Sequence, residues 1–330
     1  MNILITGAAG FIGRHLVSYL QEKYPEANLI GITRDKGPGG HAGPPLHGVS
    51  LTQGERRNQI ESVYLIYGEL SDFSFCEDIL NQYQPDLIFH LAGSAFSPDF
   101  NSLLKDNVSS FHAIASGVLK LKLNSRVVII GSAMEYGLVS QDELPVKENY
   151  LGVPRSDYGY AKACQTDLAI YFASKGLNVS VARIFSVIGS GASEKLLLGV
   201  LFSQLKAGSE KLILKGTDIG RDFLDIADIC SGLDVIAKKG LKGEIYNLCS
   251  GDLVFIDELA KLLLTHFPEV DLEIQPPIES AEKVAVIVGD NQKLKNLGWQ
   301  SSVSLKQSIE KTLELEKIQS DLYCQSAESS

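Results

Sequence analysis

The opening stretch MNILITGAAGFIGRHLVSYL sets an almost continuous apolar run, residues 2–6, against a glycine-spaced turn and then a segment of helical period. A strand that is apolar on both faces needs cover on both sides, so this feature points to a parallel sheet flanked by helices. The pattern repeats down the chain. Strand-length runs at 2–6, 29–33, 63–67, 86–91, 127–131 and 179–184 alternate with helix-length segments at 11–23, 73–83, 100–122 and 158–175. The alternation predicts an α/β fold built on a Rossmann-type, doubly wound parallel sheet.

After about residue 185 the pattern becomes irregular. LKGTDIGRDFLDIADI and KGEIYNLCSG read as short strands and loops, while 256–266 and 305–315 read as helices. We expect a smaller, mixed α/β substrate-binding domain that exchanges segments with the first: 1–184 and 222–250 hold the cofactor, 185–221 and 251–330 the substrate. DKGPGGHAGPPLHGV, 35–49, is rich in turn formers and reads as a mobile surface loop, with His41 and His47 solvated and not metal ligands. The tail CQSAESS is expected to fray.

Composition limits the partners. A chain of 330 residues that is 45% hydrophobic and 21% charged suits a soluble globular protein. Its net charge of −10 disfavours nucleic-acid coating but leaves room for a local basic site. The five cysteines show no CxxC or metal-ligand spacing, and their odd number suits reduced thiols in the cytoplasm. No apolar run reaches the roughly 18 residues of a membrane span, so neither a membrane nor a metal partner is expected.

Gly7, Gly10 and Gly13 stand at the joint of the first strand and first helix, where glycine permits a tight turn and helix-start amides face a pyrophosphate. Twenty residues past Gly13, where an NAD-selective fold usually places a carboxylate for the ribose, the chain has Thr33 and Arg34. An arginine can hold a 2′-phosphate, and Arg14 is placed to reach the same group. NADP(H) is therefore the preferred cofactor, with NAD(H) also possible.

Three tyrosines precede a lysine by four residues: Tyr19 with Lys23, Tyr158 with Lys162 and Tyr171 with Lys175. Position chooses between them. The strand RVVIIGS ends at Ser132, on the carboxyl edge of the sheet, and the helix that follows opens near Tyr158, one turn before Lys162. Tyr160 points elsewhere. A lysine charge nearby would lower the phenol pKa from about 10, and Ser132 would bond the substrate oxygen. A Ser–Tyr–Lys set without metal ligands fits hydride transfer at a C–O centre, the cofactor supplying the chemistry.

These residues, with GELSD at 68–72, HLAG at 90–93, Asn107 in DNVSS, EYG after Ser132, YGYAK, RDFLDIADI and YNLCSG, resemble the extended short-chain dehydrogenase/reductases from residue 1 to about 315. Within that group the chain is most similar to the GDP-4-dehydro-6-deoxy-D-mannose reductases, which reduce the 4-keto group of a nucleotide-linked sugar. The resemblance makes Ser132, Tyr158 and Lys162 catalytic. It adds Ala9, Phe11, Ile12, Glu69, Leu70, Leu91, Ala92, Gly93, Asn107 and Ile184 to the cofactor contacts. It assigns Ser94, Ser186, Arg221 and Lys283 to the substrate, with Arg221 on the diphosphate. Glu135 either touches the substrate or caps its loop.

Departures from the pattern bear on the substrate. FSVIGSGA places Ser186 and Val187 where the family has Asn and His, and ESAEK lacks a late arginine, for which Lys283 is the stand-in. Sugar dehydratases of the superfamily carry an acid soon after the Ser or Thr; here Ala133 and Met134 intervene. A 4-epimerase, a carbonyl reductase of a substrate without a nucleotide, and a non-enzymatic NADP(H) sensor are the alternatives. The resemblance also implies a homodimer, formed through the helix that bears Tyr158 and the helix before it.

Overall fold

The computed structural model describes residues 1–34, 63–207, 209–276 and 286–327, with side chains to residue 316. His41, His47 and the loop at 35–49, Lys283 with the whole of ESAEK, and the last three residues lie outside the described residues. The first half runs β1 (Asn2–Thr6), α1 (Phe11–Lys23), β2 (Asn28–Thr33), β3 (Val63–Tyr67), α2 (Phe73–Tyr83), β4 (Leu87–His90), α3 (Phe100–Leu104), α4 (Ser110–Lys120), β5 (Arg126–Ser132), α5 (Asp157–Ser174) and β6 (Asn178–Ile184). The remainder runs β7 (Ser186–Ile188), α6 (Leu197–Lys206), β8 (Lys211–Lys215), β9 (Gly220–Asp225), α7 (Ile226–Lys239), β10 (Ile245–Leu248), β11 (Leu253–Phe255), α8 (Ile256–Leu264), β12 (Asp271–Gln275), β13 (Val286–Ile287), α9 (Gln292–Lys295) and α10 (Leu305–Ala327).

Seven parallel strands form the main sheet in the order β10-β6-β5-β4-β1-β2-β3. Alternation along single strands shows why both faces need helices. Ile3, Ile5 and Val128 enter one buried layer with Leu16 and Val17 of α1 and Ile229 and Leu233 of α7. Leu4, Val127 and Ile129 enter the opposite layer with Leu80 of α2, Ile114 of α4 and Phe172 of α5. Fully burying each such aliphatic side chain contributes about 1.5–3 kcal/mol relative to exposure. The strand order reverses at β1, which lies between β2 and β4, so the crevice above its carboxyl end is the expected ligand position.

One expected helix is broken. The helix expected over 100–122 is interrupted by a π-helical turn, Lys105–Ser109. There Asn107 Nδ2 donates to the carbonyls of Ser94 (3.0 Å) and Leu103 (2.9 Å), and Ser110 Oγ donates to that of Asp106 (2.6 Å). These side chains take up carbonyls that a regular helix would pair with backbone amides. KGEIYNLCSG, read as short strands and loops within the 222–250 segment of the first domain, supplies β10, which pairs in parallel with β6 and completes the sheet.

The remaining strands form a sheet of β11, β9 and β13, with β7 also pairing β9, and a separate β8–β12 pair. α6, α8 and α10 pack over them through Leu198, Leu201, Leu259, Leu263 and Ile309. No glycine or proline interrupts 305–327, and α10 continues to Ala327, past the expected end at 315 and into the tail. Among the described residues no helix is long and apolar enough to cross a membrane.

Candidate active site

The turn after β1 is shaped by what a side chain there would strike. Gly7 has φ +70°, and an added Cβ would lie 2.9 Å from the amide nitrogen of Ala92; one on Gly13 would lie 2.1 Å from the Gly7 carbonyl oxygen. Only glycine lets α1 approach β1 this closely and leaves the amides at the helix start facing a cavity of about 300 Å³. Gly7, Ala9, Gly10, Thr33, Arg34, Glu69, Leu70, Leu91, Ala92 and Gly93, all expected at the cofactor, line it. The glycine cradle, the apolar wall of Leu70, Leu91 and Ile32, and the polar rim of Thr33, Arg34 and Glu69 fit a dinucleotide.

Other expected cofactor residues stand behind this wall. Gly13 seats α1 on β1, Ile12 and Ile184 pack into the sheet layer, and Phe11 sets its ring edge-on to His15 at 5.6 Å. Asn107 is buried under Gly93, whose added Cβ would come within 2.4 Å of its Oδ1. Arg14 is a correction. Its guanidinium donates to the carbonyl of Gly191 at 3.2 Å, tying α1 to the loop after β7, and it does not line the cavity beside Arg34. Ile32, Gly68, Asp106 and Ser110 line the cavity without having been anticipated.

Ser132 closes β5 and opens a 3-10 turn, Ala133–Tyr136, accepting the amide of Met134 on its Oγ at 3.2 Å. Ser156 caps α5 by accepting the amide of Gly159 at 3.1 Å, which starts the helix one residue before Tyr158. The Tyr158 hydroxyl and Ser132 share a hydrogen bond. Lys162 is 4% exposed, and its Nζ donates to the carbonyl of Ile130 and to Gln165 Oε1, each at 2.5 Å. Tyr160 is 54% exposed and turns towards Phe100, as the helical spacing requires.

The electrostatics correct one expectation. Burial pushes the Tyr158 phenol up to about 12, with the Ser132 hydrogen bond opposing and the Glu135 charge adding to the rise. The Lys162 ammonium is itself engaged by Ile130 and Gln165. Burial brings Lys162 itself down to about 8, against the pull of Glu135. His90, under the cavity between Thr6 and Ser110, is pushed to about 3 by burial and by the Lys162 charge, so its ring is neutral.

Of the two roles open to Glu135, the geometry favours the loop cap. Its Oε1 accepts the Ser132 amide at 2.6 Å, and its Oε2 pairs with Arg183 at 2.7 Å, both side chains under a tenth exposed. Burial works against the Arg183 charge, but Glu135 beside it keeps the guanidinium above its usual range. The carboxylate therefore caps the turn at Ser132 from within. Arg183 also stacks 4.4 Å from the Tyr136 ring, and Tyr136 donates to Asn247 Oδ1 on β10.

The remaining substrate candidates surround this centre. Ser94 follows β4, its Oγ accepting the amide of Phe96 and its carbonyl accepting Asn107. Ser186 is half-buried at the start of β7, in register with Phe223. Arg221 lies on β9, donates to the Gly220 carbonyl at 2.8 Å, and is held below its usual range by burial. Gln165 was missed by sequence reasoning; its one signal is a position one turn after Lys162.

Comparison with known proteins follows the same outline. The model of the NAD dependent epimerase/dehydratase family matches residues 3–249. A curated GDP-6-deoxy-D-mannose reductase of Pseudomonas aeruginosa is 28% identical over 324 residues, covering 93% of this chain and 94% of its own. The solved structure of RMD from Pseudomonas aeruginosa complexed with NADPH superposes with a TM-score of 0.74 at 25% identity, covering 95% and 97% of the two chains. That of a dTDP-glucose 4,6-dehydratase from Bacillus anthracis in complex with NAD reaches 0.81 at 22% identity, over 95% and 96%, a likeness of fold.

Proposed function

The chain belongs to the NAD dependent epimerase/dehydratase family, and from that premise we propose that it reduces the 4-keto group of a nucleotide-linked 4-keto-6-deoxy sugar, with NADPH as preferred donor. The observation that carries this reading is the hydrogen-bonded Ser132–Tyr158 pair at the carboxyl edge of the sheet, with the phenol held neutral. Reduction of a ketone needs a proton donor beside the oxygen, and a neutral phenol is that donor. The bound cofactor supplies the hydride that reaches the carbonyl carbon.

Ser132 hydrogen-bonds the ketone oxygen and fixes its position. Tyr158 gives its proton to that oxygen as the C=O becomes CH–OH, and the resulting phenolate regains a proton from solvent. Lys162 offsets the negative charge that develops on Tyr158, and its remaining donor capacity suits the nicotinamide ribose. Arg34 on the cavity rim supports the NADPH preference, and Arg221 is the candidate for the nucleotide diphosphate. Glu135, engaged by Ser132 and Arg183, is withdrawn from the acid–base role that loss of water would require.

The test is NADPH oxidation by purified protein offered GDP-4-keto-6-deoxymannose and, in parallel, dTDP-4-keto-6-deoxyglucose, with NADH as cofactor control. Rapid oxidation with one sugar supports the reading and identifies its nucleotide; no oxidation with either, from protein that binds NADPH, removes it. The same reading includes a homodimer through α4 and α5. Most apolar positions there pack inward, but Ile170 and Tyr171 remain exposed. Light scattering should give twice the chain mass, and a monomer would remove the dimer.

A further inference from the structure

The rim of the cofactor cavity carries two adjacent ion pairs. Arg34 Nη1 lies 2.6 Å from Asp106 Oδ1, and Lys105 Nζ lies 3.3 Å from Glu69 Oε2. Arg34, Glu69 and Asp106 all line the cavity. Within the first pair the acid is the fixed partner: the Asp106 side chain is 11% exposed against 53% for Arg34. Its second oxygen accepts Ser97 Oγ at 2.8 Å, and its backbone belongs to the π-helical turn. The more exposed cation is thus docked on an anchored carboxylate inside the cavity that would hold the adenosine ribose.

Resting on the reading of Arg34 as the 2′-phosphate ligand, we propose that Asp106 is a specificity-determining residue that restrains the preference for NADPH over NADH. The reason is a competition for one guanidinium. A 2′-phosphate brings between one and two negative charges near neutral pH and must draw Arg34 from Asp106 or share it, with the carboxylate still close by. A 2′-hydroxyl makes no such demand and can donate to a carboxylate. Asp106 therefore costs NADPH affinity and leaves NADH almost untouched. Among the described residues, the neighbouring rim cation Lys105 is already paired with Glu69. A partly exposed charge contact of this kind is worth a factor of about ten in affinity, less at high salt.

Asp106→Asn removes the charge but keeps an acceptor for Ser97, so the turn has its bond. Dissociation constants for NADPH and NADH, from quenching or enhancement of fluorescence in the full chain, read the effect without any sugar substrate. Asp106→Asn should tighten NADPH by about tenfold and shift NADH by less than about twofold. In the Arg34→Ala background the same substitution should gain less than about threefold, since the contested cation is gone. Equal shifts for both cofactors, an unmoved NADPH constant, or an undiminished gain without Arg34 each overturn the proposal. The parent reading fails separately: Arg34→Ala would then leave NADPH affinity unchanged, whereas a weakened Arg34→Ala beside an inert Asp106→Asn defeats only the role of Asp106.

Discussion

The pKa values of Lys162 and Tyr158 move in opposite directions because burial disfavours the charged form of each. Burial brings the Lys162 ammonium down to about 8, so its charge is present below that pH and lost above it. The phenol, pushed up to about 12, keeps its proton across the accessible range. For the free enzyme, kcat/KM in the direction of reduction should be level near neutrality and fall by up to about tenfold per unit above pH 8. Lys162→Arg, which stays charged, should lose that alkaline limb whatever its absolute rate; a wild-type limb first seen near pH 10 would detach the profile from Lys162. Tyr158→Phe should lower kcat by about 10²–10⁴ while the NADPH dissociation constant moves less than about twofold. Full activity in that variant would remove Tyr158 as the proton donor. Ser132, Tyr158 and Lys162 were legible in sequence because helical geometry and the strand end fix their places. The direction of the tyrosine shift was not, since it depends on how deeply the phenol is buried and on which acceptors, Ile130 and Gln165, engage the ammonium.

The first strand, glycine turn and helix act as one element, because at Gly7 and Gly13 no side chain holds the start of α1 away from the end of β1. In Gly13→Ala the new methyl would stand 2.1 Å from the Gly7 oxygen and 2.8 Å from that of Ala8, both backbone atoms that no rotamer change can move aside. The helix must shift outward, at about 1–3 kcal/mol as for other overpacked sites, and its amides leave the cavity floor. Thermal unfolding should come several degrees earlier, and calorimetric titration should show at least about tenfold weaker NADPH binding. Unchanged binding would mean that the α1 amides do not carry the pyrophosphate. This unit was readable from sequence because its glycine spacing and apolar run coincide, and the strands and helices through β6 share that redundancy. The π-helical turn was hidden. Its cause is a set of side-chain bonds to carbonyls, Asn107 to Leu103 and Ser110 to Asp106, which leaves the apolar period of 100–120 intact. β10 was legible only as a short strand of the first domain: four residues between polar and glycine flanks carry too little pattern to give its pairing partner.

Across the whole molecule, the two halves are joined by a buried carboxylate. Asp222 of β9 is fully enclosed; its Oδ1 accepts the amide and hydroxyl of Ser250, each at 2.7 Å, and its Oδ2 accepts the amides of Gly251 and Gly289 at 2.9 and 3.3 Å. Ser250 and Gly251 follow β10 of the seven-stranded sheet, Gly289 follows β13 of the second sheet, and Arg221 immediately precedes Asp222 on β9. One side chain therefore sets where the candidate diphosphate ligand stands relative to Ser132 and Tyr158. Asp222→Asn conserves volume but turns an NH₂ group towards N–H donors, leaving one side of the cluster without an acceptor. The expected loss is about 2–4 kcal/mol of stability, read by denaturant titration. Because the residue acts through Arg221, the variant should raise KM for the nucleotide sugar while sparing the NADPH dissociation constant, a split that general loosening would not produce. If both constants rose together, Asp222 would be a stabilising residue only, and the positioning of Arg221 would have to come from the rest of β9.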